Sequence, residues 1–264
     1  MKGILINICL IVFITNLSLF AQGYGKQTEI LIIGVVHNKT KKISYKQLYQ
    51  ALEKNKPDVI LWEQSENFKR EIGLRTGYRL KIISPGTEQL ALQVFNKKNR
   101  LIPIIGFDTS FSSKKKYIKE TIRISDVFFA KLYQSKLNKE DSLKYRTYVD
   151  FTNNYLDDIY NKPLEEINLP VIYNKAKEKD EMESNIIIPL AKKYMTDSIA
   201  LNEYLSDLDF GKSRNSYMAQ KILDIVYAQA GKRIIVLTGL SHKYFLIDEL
   251  SKQNNKDLKL LDLN

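Results

Sequence analysis

The chain has 264 residues, 44% hydrophobic and 11% aromatic, with a formal charge of +11 and one cysteine. Length and apolar content are those of a globular protein with a sizeable core. The charge excess comes from lysines spread along the whole chain, with only SSKKKYIK (112–119) forming a block, so no nucleic-acid partner is expected.

The first residues, MKGILINICLIVFITNLSLFAQGYG, offer a basic start at Lys2, an apolar run from Ile4 to Phe13 and a small residue, Ala21, before Gln22. That order reads as a signal peptide over residues 1–21, cleaved to leave an exported protein, periplasmic or secreted, of residues 22–264. The apolar run is short for a membrane span and is interrupted by Asn7, so no stable span is expected after cleavage. Cys9 lies inside the leader, which excludes disulfides and thiol catalysis from the mature chain.

Residues 29–36 (EILIIGVV) are a continuous apolar run, as expected of a strand covered on both faces. Ser44, with Gln47 three residues on, completes a capping box, and Ile43 and Leu48 form a hydrophobic staple around the start of a helix that Pro57 ends. DVILWE (58–63) is a second strand. A helix from about Thr87 carries Leu90, Ala91, Val94 and Phe95 on one side, and LIPIIGFD (101–108) is a third strand. Such alternation argues an α/β fold with a mainly parallel central sheet flanked by helices.

From about residue 110 to 212 the pattern is helical, broken at Pro163 and Pro170, and reads as an insertion into a single α/β domain. Its tyrosines, Tyr145, Tyr148, Tyr155 and Tyr160, fall at helical spacings that suit packing between helices. RNSYMAQKILDIVYAQAGK (214–232) reads as a helix with Met218, Ile222, Ile225 and Val226 in its apolar stripe and Gly231 at the C-cap position. The strand RIIVLTG follows, then a helix opening near Ser241 with Phe245, Leu246 and Leu250. Residues 257–262 suit a last short strand.

In an open parallel sheet all carboxyl ends share one edge, where ligands bind. The chain's only two histidines both fall there, His37 in GVVH after the first strand and His242 in GLSH after the late one. Glu63 ends the second strand. Asp108 ends the third, where Thr109 and Ser110 make it equally good turn chemistry. Imidazole with carboxylate suits manganese, cobalt or zinc, and His37, Glu63 and His242 as ligands leave a position for a water, which is hydrolase chemistry. Arg214 suits a substrate carboxylate or a developing oxyanion. A metal-free alternative makes His37 the base, oriented by Glu63.

GVVH, the glutamate of VILWEQ, the Arg-Asn of RNSYMAQKI and VLTGLSH together resemble the signature of the TraB/TIKI proteins, which are similar to erythromycin esterase and to the ChaN haem-binding lipoproteins. The resemblance covers about residues 29–66 and 211–250. It implies an α/β core and a site made of His37, Glu63, Arg214 and His242. In the metalloprotease branch it also implies divalent-metal-dependent hydrolysis of a peptide. The first motif departs from the family in carrying Val35 where a hydroxyl residue is common. Other members bind haem or hydrolyse a lactone, so a non-catalytic haem or small-ligand binder is the alternative to a hydrolase acting on a peptide or small molecule.

Overall fold

A computed structural model describes residues 26–36, 42–65, 86–109, 114–253 and 255–263. The leader, with Cys9, and His37 lie outside them. The apolar run expected as the first strand forms β1 (Thr28–Val35). Ile30 and Ile32 enter one core while Leu31, Ile33 and Val35 enter another, which is why every position from Ile30 to Val35 is apolar or small.

The helix α1 (Tyr45–Asn55) starts at the expected capping box, with Ser44 accepting from the Gln47 amide and the Gln47 side chain accepting from the Ser44 amide. Lys56, at φ 44°, closes it before Pro57. β2 (Val59–Ser65), α2 (Thr87–Lys98) and β3 (Ile104–Asp108) follow. Two expectations shift here. The buried side of α2 is Glu88, Ala91, Leu92 and Phe95, leaving Leu90 and Val94 half-buried, because the helix rests on α1 as well as on the sheet. β3 starts at Ile104, since Pro103 brings no N–H to the ladder and Leu101 is 98% exposed.

Between β3 and the late strand run α3 (Lys114–Gln134), α4 (Lys139–Asn161), α5 (Leu164–Ile167), α6 (Pro170–Met182), a π-helical turn (Glu183–Ile187), α7 (Ile188–Tyr194) and α8 (Ser198–Ala228). Pro163 and Pro170 fall at the N-cap of α5 and the first turn of α6, as their missing N–H requires. Pro189 breaks nothing. The chain widens to a π turn just before it, with the Ile188 N–H bonded to the Glu183 carbonyl five residues back, which accommodates a ring that an α-helix would clash with.

The helix expected at 214–232 is in fact the second half of α8, which runs unbroken through residue 212. Asp197 caps it by accepting from the Ala200 amide at 3.0 Å. Gly211, midway, has open space where a Cβ would stand and does not interrupt it. Its C-cap is Gln229, and Gly231 lies two residues beyond at φ 76°. β4 (Arg233–Gly239), α9 (Leu240–Ser251) and β5 (Leu258–Leu261) complete the fold.

The sheet order is β3-β2-β4-β1-β5 and every pairing is parallel. β4 therefore lies between β1 and β2, with Gly34 opposite Thr238 and Val35 opposite Gly239, and the two GxxH segments leave adjacent strands. One face packs on α1, α2 and parts of α4 to α6, and the other on α8 and α9. A third core, inside the helical region, has Phe128 stacked on Tyr204 with centroids 3.7 Å apart. Tyr148 and Tyr155 are buried and Tyr145 packs at the third core's border, as expected of packing residues, whereas Tyr160 is 37% exposed. Among the described residues no helix is long and apolar enough to cross a membrane.

Candidate active site

Glu63 continues the alternation of Val59 and Leu61, whose side chains enter the core beneath α8, so strand periodicity aims its carboxylate at that helix. The ladder between β2 and β3 slips there. Trp62 pairs with Gly106, but Ser65 pairs with Asp108, so β2 carries one extra residue. This bulge presses the Gln64 and Ser65 carbonyls onto the place where a Gly106 Cβ would stand, with Gln64 O 2.5 Å from it. Only glycine fits, and the bulge brings Glu63 and Asp108 to the same edge.

Arg214 joins them from α8. Its Nε donates to Asp108 Oδ1 at 3.0 Å and its Nη2 to Asp108 Oδ2 at 2.8 Å, a bidentate pair. The same Nη2 donates to Glu63 Oε1 at 2.7 Å. The other Glu63 oxygen accepts from the Thr238 hydroxyl at 2.9 Å and the Gly239 amide at 2.6 Å, so Glu63 also ties β4 to the start of α9. Burial opposes the charge on Arg214, but the hydrogen bonds and charges of Asp108 and Glu63 outweigh it and hold the guanidinium above its ordinary pKa.

His242 is the third residue of α9, whose first turn begins one residue earlier than Ser241 and has Gly239 as N-cap. Its Nδ1 lies 2.6 Å from Asn215 Oδ1 and its Nε2 3.2 Å from Arg214 Nη1. A guanidinium has no acceptor, so Nε2 presents its lone pair there and Nδ1 carries the proton that Asn215 accepts. The ring is thus held neutral, in one tautomer, at a helix N-terminus. Glu63 and Asp108 are 2% exposed, while the His242 side chain is 17% exposed, so the cluster opens to solvent along the imidazole.

Of the residues expected from sequence, Glu63, Asp108, Arg214 and His242 meet in this cluster. His37 lies outside the described residues. Arg214 reaches the site from the middle of a helix rather than from its start. Asn215 and Thr238 were not anticipated as site residues. Their signals were present: Asn215 is the second half of the Arg-Asn pair, and Thr238 is a polar residue at the inward-facing end of an apolar strand.

Among the described residues no group of three or more His, Cys, Asp or Glu is arranged to hold a metal ion. The reason is local. Glu63, Asp108 and His242 all turn toward Arg214, whose guanidinium fills the space between donors that a bound cation would need. These three side chains therefore do not fit a metal as they stand, and the expected ligand set includes His37.

The first turn of α9 has a second anchor. Lys243 is buried beside Gly34, and its Nζ donates to Asn168 Oδ1 at 2.8 Å and to the Asn168 carbonyl at 3.0 Å. It also lies 4.8 Å from the centre of the Tyr173 ring. Burial pushes the Lys243 ammonium down to about 8, although the charge of Asp262 opposes the fall.

The fold and site are those of an α/β protein carrying an arginine-clamped pair of carboxylates and a neutral histidine at the carboxyl edge of a parallel sheet. No family model and no curated protein matches the sequence. Among solved structures, a mutant of the erythromycin esterase EreC in its open conformation is similar to 90% of this chain, over 70% of its own length, at 11% identity and a TM-score of 0.35. The TraB/TIKI resemblance rests on the sequence motifs alone.

Proposed function

We propose that the chain is a hydrolase of ester- or peptide-type carbonyls that works by general-base catalysis at this cluster. The observation that supports it is Arg214, which binds Asp108 and Glu63 and hydrogen-bonds the lone pair of His242. In this reading Arg214 Nη1 turns from His242 Nε2 to the substrate, the freed Nε2 takes the proton of an attacking water and passes it to the leaving group, and Asn215, at Nδ1, stabilises the imidazolium in between. Arg214 supplies positive charge beside the carbonyl oxygen as it becomes an oxyanion. Glu63 and Asp108 fix the guanidinium and keep it charged. His37, from the first GxxH segment, is the further residue this reading places at the edge. The protein would be exported and its substrate a peptide or small molecule.

The test is hydrolysis of a panel of activated esters, lactones and peptides by purified protein, with His242→Asn, Arg214→Lys and His37→Ala beside it. Hydrolysis lost in His242→Asn and unaffected by chelators supports the reading. Stoichiometric manganese, cobalt or zinc that disappears in His37→Ala and His242→Ala would instead support the metal site expected from sequence. A Soret band on adding haem, with no hydrolysis by any preparation, would make the protein a binder and overturn the proposal.

A further inference from the structure

β5 pairs with β1 only from Thr28 to Leu31. Beyond Leu31 no strand among the described residues pairs on the β5 side of β1, yet in a parallel ladder the N–H and C=O of every second residue point that way. At Gly34 both groups are met by one side chain. The Gly34 amide donates to Asn168 Oδ1 at 2.7 Å, and Asn168 Nδ2 donates to the Gly34 carbonyl at 2.9 Å. The carboxamide replaces the missing strand for a single residue, from a position 134 residues away.

Asn168 is itself held from two sides. Its Nδ2 also donates to the Leu164 carbonyl at 2.8 Å, and Lys243 donates to both its backbone carbonyl and its Oδ1. Lys243 follows His242, and the first turn of α9 lies directly on Gly34: a Cβ there would stand 2.6 Å from Leu240 Cδ1 and 3.2 Å from Leu240 Cα. The last residues of β1, the helical region and the turn bearing His242 thus share one buried hydrogen-bonded knot. Asn168 is 4% exposed and so is Lys243, and a buried amide and ammonium of this kind are costly unless each bond is made.

We infer that Asn168 is a positioning residue for the candidate active site, fixing the end of β1 against the first turn of α9 and so the placement of His242 relative to Arg214. This rests on the reading of the cluster as catalytic, and it assigns Asn168 no contact with substrate. It also gives the helical region a part in the site that its distance in sequence conceals.

The experiment compares Asn168→Leu, Asn168→Asp and Lys243→Met with a distant core variant, Leu190→Ala, reading the ring-nitrogen NMR signals of His242 together with kcat and KM. Asn168→Leu should move the His242 signals and lower kcat about 10- to 100-fold, with KM within about twofold, as expected when a reacting group is misplaced rather than removed. Asn168→Asp still accepts from Gly34 and Lys243 but donates nothing to the Gly34 carbonyl, and should fall between. Leu190→Ala should lose thermal stability with the His242 signals in place.

If folded Asn168→Leu gives wild-type ring signals, the inference is overturned. Should that variant fail to fold, Lys243→Met decides in the same way, because it removes only the outer half of the knot. A wild-type protein without hydrolytic activity would defeat the proposed function alone, since the ring signals report placement without any substrate.

Discussion

Arg214 holds Asp108 by both carboxylate oxygens across 106 residues of chain, and the same guanidinium reaches Glu63. Both carboxylates are buried, so removing the arginine leaves two acids without their cation. Arg214→Met should cost about 3–5 kcal/mol, as expected when one partner of a buried pair is deleted, and adding Asp108→Asn should restore part of the loss. Urea denaturation of the single and double variants measures both. A single variant as stable as wild type would show that the clamp contributes nothing to folding.

The two crowded glycines make a paired prediction. At Gly106 an added methyl meets the backbone of Gln64 and Ser65, and at Gly34 it meets the backbone and side chain of Leu240. Gly106→Ala must flatten the bulge beside Glu63, and Gly34→Ala must lift the turn that carries His242. Each should cost about 1–3 kcal/mol through overpacking. Each should also lose activity beyond what Gly211→Ala loses, where a methyl enters open space. Melting curves and activity measured side by side on the three variants check this.

Acid should weaken the helical region at Asp141. The hydrogen bonds from Lys193 and from the Tyr194 hydroxyl, with a smaller one from Lys144, hold its carboxyl below the ordinary value of 3.8. Such a group contributes stability that is full above its unfolded pKa and disappears as pH falls through the folded one. Stability should therefore decline below about pH 3.8, and Asp141→Asn, already lacking that contribution, should decline less steeply. Circular dichroism at graded pH gives the comparison.

The leader expected at residues 1–21 makes a separate prediction. Material recovered from outside the cytoplasm should begin near Gln22, read by N-terminal sequencing. Protein that retains Met1 there would count against cleavage.

The sequence announced the site better than the path to it. Strands that carry Glu or Asp at their carboxyl ends are legible because β periodicity and the shared carboxyl edge of parallel strands leave those side chains few places to go. The capping box at Ser44 was legible for the same kind of reason, since its bonds are local. Strand order is another matter: nothing local says that β4 enters between β1 and β2, because that choice is made by packing across the whole sheet. The extent of α8 is not legible in the same way, because the buried Tyr204 and Met218, on either side of Gly211, carry the helix through. Lys243 did leave a trace, a charged residue in register with Leu246 and Leu250 on the buried side of α9. Its partner Asn168 left none, since an asparagine after a short helix is ordinary turn chemistry until a strand end lies beside it.

The sheet order also constrains how the molecule can be made. Among the described strands β1 comes first in the chain, yet its neighbours, β4 and β5, come from residues 233–261. An apolar segment must wait until the chain beyond residue 233 has been made before it meets β4 or β5, and contacts so distant along the chain form slowly. A ribosome that stops short of residue 233 releases β1 without β4 and β5, its neighbours in the sheet. Such a product lacks Thr238 and His242, so neither the hydrogen bond from Thr238 to Glu63 nor the contact of Arg214 with His242 can form in it.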